Sequence, residues 1–218
     1  MIVQDLGQMA YRAAWAAQDE AHAAVVAGGD ERVLLVEHPA VITFGRRSGQ
    51  EKHLLASSQR LGELGVEVVH SDRGGDVTFH GLGQLVAYPI VRLIDHRLSV
   101  GGFVHRLEDV VLAVLAELGV TAHKDPAAIG LWVQRPGQAG ESAKICALGV
   151  RVRRGVSLHG IALNVKTDLR YFELIVPCGL VDRTVTSLQQ LLGPGAPDMA
   201  KVKEVLARQM CEAFAMDA

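Results

Sequence analysis

The chain has 218 residues, 49% of them hydrophobic and only 5% aromatic, with 22 Lys+Arg against 24 Asp+Glu for a formal net charge of -2. That length suits one domain with a core packed mainly by Leu, Val, Ile and Ala, and a charge so near balance speaks against the broad basic surface of a general nucleic-acid binder. Three cysteines without a CxxC spacing speak against a disulfide framework or a zinc site, and neither a signal-like N-terminus nor an apolar run of about 18 residues is present, so a cytoplasmic protein with reduced thiols and no membrane span is expected.

In chain order, Met9 to Val26 reads as a helix, stopped by Gly28-Gly29. Val33-Leu34-Leu35-Val36 reads as a buried strand ending before His38-Pro39, where proline can donate no ladder bond. A second strand, Val66 to His70, runs toward the glycine turn Gly74-Gly75, and a third spans Gln84 to Val91. The clearest helix lies between Phe103 and Gly119, with Phe103, Leu107, Val110, Val111, Val114, Leu115 and Leu118 on one face. Leu131-Trp132-Val133 is a short strand, and Arg135 to Ser142 reads as a mobile polar loop. Lys144 to Arg153 and Val156 to Val165 form a hairpin turning at Arg154-Gly155, and a last helix starts near Asp198. Helices and strands intermix and one strand pair is hairpin-joined, which predicts an α+β fold in a single domain over residues 1–218.

Three segments stand apart from ordinary core and surface. Arg73-Gly74-Gly75-Asp76-Val77-Thr78-Phe79-His80-Gly81, followed by Gly83-Gln84, combines glycines that let backbone approach a ligand with an arginine fork and an imidazole. A plain glycine turn before a strand explains it equally well. In Lys144 to Arg154, strict alternation puts Lys144, Cys146, Leu148 and Val150 on one face, and a lysine at the head of an apolar face is unusual. Its ordinary explanation is a strand-end lysine reaching water. Val176-Pro177-Cys178-Gly179-Leu180 sets a cysteine in a turn, where it can meet a substrate; one turn cysteine alone is weak support.

Together these stretches, with Glu37-His38-Pro39, Thr43-Phe44-Gly45-Arg46, Tyr88-Pro89-Ile90, Ser157 to Val165 and Val185-Thr186-Ser187-Leu188, resemble the lipoate biosynthesis protein B family of octanoyltransferases. The resemblance runs from about residue 10 to 215. It implies a mixed β-sheet flanked by helices, like the catalytic domain of biotin and lipoate protein ligases. It also implies transfer of octanoyl from octanoyl-acyl carrier protein to a lysine of lipoyl domains, those of 2-oxoacid dehydrogenase E2 subunits and the glycine cleavage H protein. No metal, nucleotide or other cofactor, nucleic acid or membrane enters that activity. Carried over, Cys178 is the nucleophile and Lys144 its activating partner. Arg73, Gly74, Gly75, Asp76, Val77, Thr78, Phe79 and His80, then Ala147, Leu148 and Gly149, then His159, Gly160, Ile161 and Ala162, line the acyl site. Two departures are Leu82, where the family often has proline, and Cys146, where it often has alanine; on the alternation above, Cys146 shares a face with Lys144 and is a rival nucleophile.

A thiol of pKa near 8.5 is only slightly ionised at neutral pH, and an ammonium within roughly 4–6 Å favours the thiolate. The oxyanion donors fall to the backbone of Leu148-Gly149 or Cys178-Gly179, and Arg151, Arg153 and Arg154 are candidates for docking an acidic carrier. Rival readings are an ATP-dependent lipoate or biotin ligase, a thioesterase or peptidase pairing Cys178 with His80 or His159, and an inactive carrier-binding homologue.

Overall fold

A computed structural model describes residues 1–215 except 48, 50, 135–140 and 177–183. In chain order the strands and α-helices are β1 (Ile2–Gln8), α1 (Tyr11–Val26), β2 (Arg32–Glu37), β3 (Val41–Phe44), α2 (Ser58–Glu63), β4 (Glu67–His70), β5 (Thr78–His80), β6 (Gln84–Ile90) and α3 (Val100–Glu117). They continue with β7 (His123–Lys124), β8 (Leu131–Gln134), β9 (Ser142–Arg153), β10 (Val156–Asn164), β11 (Thr184–Val185), α4 (Leu188–Leu192) and α5 (Met199–Ala213).

The main sheet runs β1-β2-β6-β10-β9-β8-β7, with β11 laid against β9, and mixes parallel and antiparallel pairs. A small second sheet runs β4-β3-β5. The expected α+β architecture is therefore present. The hairpin of β9 and β10 turns on Arg154 and Gly155, both at positive φ (53° and 77°), the twist that suits a two-residue hairpin loop. Ser99 and Asp198 cap α3 and α5 by accepting from the backbone N–H of Gly102 and Lys201, at 3.0 and 2.8 Å.

The two faces of the main sheet carry different loads. Leu85, Ala87, Cys146, Ile161 and Leu163 pack with Phe103, Leu107 and Val111 of α3 and Val202, Leu206 and Met210 of α5. On the other face Leu34, Val36, Val86, Tyr88 and Leu158 meet Ala14, Ala21 and Val25 of α1. A third cluster, including Ile42, Phe44, Val77 and Phe79, fastens the small sheet to the segment around Phe172 and Ile175. The segment from Ser71 to His80 thus passes over the α1 face of the main sheet, tied there by Gly74 N–H donating to Val150 O (3.0 Å). Among the described residues no helix is long and apolar enough to cross a membrane.

Candidate functional site

Where the Arg73 segment crosses the sheet, a cavity remains that opens in part to solvent. One wall is Arg73, Gly75, Asp76, Val77, Thr78 and His80; the facing wall is Ala147, Leu148 and Gly149 of β9 with His159, Gly160, Ile161 and Ala162 of β10. Tyr11 of α1 and Tyr88 of β6 line it too, and Lys144 stands on its border. Gly74 lines instead a neighbouring outer pocket, which shares Gly75, Asp76, Lys144, Leu148 and Gly149 with the inner one. Phe79 is not on the cavity wall: it stacks on Tyr171 at 4.8 Å between centroids and belongs to the third cluster. Tyr11 and Tyr88 were not among the sequence candidates for the wall; Tyr88 lay inside a quoted motif, whereas Tyr11 carried no signal beyond its helix.

Lys144 reaches this face through a break in the strand. Leu131 pairs with Cys146 but Trp132 pairs with Lys144, so β9 carries one extra residue, Ile145. Ile145 and Cys146 both fall in the α3/α5 core, and Lys144 is turned toward the cavities. The expectation that Lys144 and Cys146 share a face is corrected by this bulge. Cys146 is fully buried, and burial pushes its thiol up to about 12, far from a neutral-pH nucleophile. The Lys144 ammonium donates to Ile129 O at 3.0 Å and lies 4.7 Å from the Trp132 ring centroid, with only 7% of the residue exposed.

Cys178, with Pro177, Gly179 and Leu180, lies outside the described residues, as does the polar stretch Arg135 to Gly140. The flanks of the cysteine segment are described. On one side Val176 N–H donates to His53 O at 2.7 Å, and the His53 ring contacts the carboxylate of Asp76 on the cavity wall at 2.9 Å. On the other side Thr184 and Val185 pair with Ala143 and Lys144, and Thr186 N–H donates to Lys144 O at 2.9 Å.

The cavity's polar groups are held in a fixed pattern. Arg73 donates to Thr43 O at 2.6 Å, to Thr43 Oγ1 and to Gly74 O. His38 donates from Nδ1 to Met9 O at 2.7 Å, leaving Nε2 to accept from Tyr88 Oη–H at 2.7 Å. His80 pairs Nδ1 with Gln84 Oε1 at 2.7 Å, and the Gln84 amide donates onward to Asn164 Oδ1 at 2.9 Å. Burial lowers His38 to about 4; burial, with His38 and Arg73 nearby, lowers His80 to about 3. Both rings are therefore neutral at physiological pH. His159 contacts Asp72 Oδ1 through Nε2 at 2.6 Å, and Asp72 is also paired with Arg151. Burial, with Arg73 and Arg151 nearby, pushes His159 down to about 3 against the opposing charge of Asp19, and the Asp72 carboxylate that the ring contacts is shared with Arg151, so the ring is neutral.

Of the three arginines considered for docking, Arg151 is engaged by Asp72 and Arg153 by Asp19 at 2.7 Å, while Arg154 is exposed in the hairpin turn. Among the described residues no cluster of three or more His, Cys, Asp or Glu has the makings of a metal site.

The family described as the lipoyl protein ligase A/B catalytic domain matches residues 10–211. The octanoyltransferase of Chloroflexus aurantiacus is 47% identical over 220 residues, covering 100% of this chain and 95% of that protein. The octanoyltransferase of Bacteroides fragilis is 44% identical over 219 residues, covering 98% and 97%. Among solved structures, a lipoate-protein ligase A bound with ATP superposes with a TM-score of 0.79 at 16% identity, covering 99% of this chain and 86% of that one. Biotin protein ligase from Aquifex aeolicus gives 0.52 at 11% identity, covering 98% and 68%. At such low identities these two speak for the fold alone.

Proposed function

The chain belongs to the lipoyl protein ligase A/B catalytic-domain family, within its octanoyltransferases, and from that premise we propose that it moves an octanoyl group from acyl carrier protein to a lysine of lipoyl domains by way of Cys178. The observation that carries the reading is Lys144, a buried ammonium that borders both the inner cavity and the outer pocket. A carbonyl poised between an acyl tail inside and a carrier thiol outside would sit beside it.

In the first half-reaction the Cys178 thiolate, favoured by the nearby ammonium, attacks the donor thioester. The tetrahedral oxyanion collapses, the Lys144 ammonium gives its proton to the leaving carrier sulfur and is left neutral, and the octanoyl group stays on Cys178. In the second half the acceptor lysine amine attacks that thioester, and neutral Lys144 takes the proton the amine gives up. Amide forms and Cys178 is restored. Both flanks of the Cys178 segment are anchored to residues of the site, His53 with Asp76 on one side and Lys144 itself on the other, which supports the pairing. The wall of Ala147, Gly149, Gly160 and Ala162 gives methylenes a small-residue surface to lie on, each worth roughly 0.8 kcal/mol when buried. The acceptors proposed are the lipoyl domains of 2-oxoacid dehydrogenase E2 subunits and the glycine cleavage H protein, in the cytoplasm.

The test is intact-protein mass spectrometry after incubation with octanoyl-acyl carrier protein alone. A gain of one octanoyl on the wild type, lost in Cys178→Ala and kept in Cys146→Ala, is expected. Turnover without any adduct would refute the covalent route, and dependence on added ATP would favour a ligase.

A further inference from the structure

Three buried histidines gather around the cavity, and two of them use both ring nitrogens. His38 Nε2 accepts from Tyr88, and His80 Nε2 faces Thr43 Oγ1 at 3.5 Å. His159 differs. Its Nε2 is spent on Asp72, and its Nδ1 is buried with no hydrogen-bond partner. With Nε2–H donating to a carboxylate, Nδ1 of the neutral ring carries a lone pair and is an acceptor. A buried acceptor left unsatisfied is costly.

The chain departs from regular strand geometry to put it there. His159 pairs with Val150, which packs on the α3/α5 side of the sheet, so a regular strand would send the imidazole into that core. Instead its φ is 57°, and the ring sits on the opposite side beside Trp15 and Tyr88, at centroid distances of 5.9 and 6.3 Å. Its backbone N–H donates to Gln18 Oε1 at 2.8 Å. A non-glycine residue held at positive φ inside a strand is uncommon, and such strain concentrates at functional positions.

His159 and Lys144 line the same cavity from opposite ends. Val150 lies six residues along β9 from Lys144, roughly 20 Å of strand, less the reach of the two side chains. The groups around the His159 end, Tyr11, His80 and Tyr88, are polar-tipped and buried.

We infer that this inner end is a hydrogen-bonding subsite for the tip of the acyl chain, with His159 Nδ1 as acceptor, so that the protein takes ω-hydroxyacyl groups as well as saturated ones. This rests on the reading of the cavity as an acyl site. The chain's carbonyl belongs at Lys144, its methylenes along Ala147, Gly149 and Ala162, and its terminal hydroxyl donates to His159 Nδ1.

The test compares octanoyl with 8-hydroxyoctanoyl, and decanoyl with 10-hydroxydecanoyl, as carrier thioesters in transfer to a lipoyl domain. In the wild type, at one of the two lengths, the hydroxylated chain should stay within about threefold of its parent in kcat/KM. In His159→Phe the hydroxyl penalty at that length, read as the ratio of saturated to hydroxylated kcat/KM, should grow tenfold or more, roughly the effect of losing one buried hydrogen bond. An equal hydroxyl penalty in wild type and variant at both lengths overturns the inference. Should the variant fail to fold, the wild type alone decides: the ¹⁵N resonance of His159 Nδ1 should move upfield with 8-hydroxyoctanoate or 10-hydroxydecanoate and not with the saturated acids. No difference at either length overturns it. If no chain of any kind is transferred, the proposed function fails, and the resonance still judges the subsite.

Discussion

Lowering the pH from 7.5 to 5.5 should cost this protein about 3 kcal/mol of folding stability through two side chains alone. His38 and His80 have folded values of about 4 and about 3, whereas in the unfolded chain both return to the ordinary value of 6.5. The folded state therefore binds fewer protons than the unfolded state between about pH 4 and 6.5, and stability rises with pH across that window. Their contribution is complete above the unfolded value and drains away as the pH drops, down to the folded values. At pH 5.5, one unit below the unfolded value, each ring costs about 1.4 kcal/mol, and at pH 5 about 2 kcal/mol. Against a typical total of about 5–15 kcal/mol the loss is large. Urea unfolding followed by the fluorescence of Trp15 and Trp132 measures it, and His38→Gln should flatten the profile by about one ring's share. A stability constant to within about 0.5 kcal/mol over this range, or one that rises in acid, would refute the claim that these rings are held neutral by burial.

Three further outcomes follow from the site. Lys144→Met should reduce octanoyl transfer by about a hundredfold or more and move the pH midpoint of Cys178 alkylation upward by about one unit; an unmoved alkylation profile removes the lysine from thiol activation. Cys146→Ala should leave transfer within about twofold and lower stability by about 1 kcal/mol, because the thiol packs in the α3/α5 core; loss of the acyl adduct in this variant would contradict its burial. Gly160→Ala should destabilise by about 3 kcal/mol or more in chemical denaturation, since its new Cβ would stand 2.2 Å from Ala87 O and 2.7 Å from Pro89 Cδ, forcing β10 and β6 apart; a neutral result would mean the strands can part cheaply.

Much of the architecture was legible in the residues. The α1, α3 and α5 helices, the β9–β10 hairpin with its Arg154-Gly155 turn, and the buried strands β2 and β6 all carry strong periodicity or turn chemistry, and the structure has them within a few residues. Five strands were not legible, the two-residue β7 and β11 among them. Ile2 to Gln8 is mostly exposed and becomes a strand only by pairing parallel with β2, about 30 residues away in sequence. Val41–Phe44 and Thr78–His80 are four and three residues long and are strands because they pair with each other. Such short segments hold too little pattern to be read alone, since nonlocal pairing decides them.

Residues of the Arg73 segment, of β9 from Lys144 to Gly149 and of β10 from His159 to Ala162 line one cavity, yet the two side chains that distinguish it reach it by breaking the rule used to read strands. Alternation puts Lys144 with Cys146 and puts His159 on the face of Val150; an inserted residue at Ile145 reverses the first, and a left-handed φ reverses the second. In both cases the undisturbed pattern would bury a polar group in the α3/α5 core, where neither an ammonium nor an imidazole finds adequate partners. The apolar demand of that core and the polar demand of the cavity are met in the same two strands only because the backbone slips once in each. A strand reading that assumes a period of two must misplace such residues. A lysine or histidine at a position where strict alternation predicts core is therefore a marker for a bulge or a kink, and the residue it turns outward is a candidate for function. Here that reasoning separates Cys146, which follows the core, from Lys144, which does not, although only Ile145 lies between them.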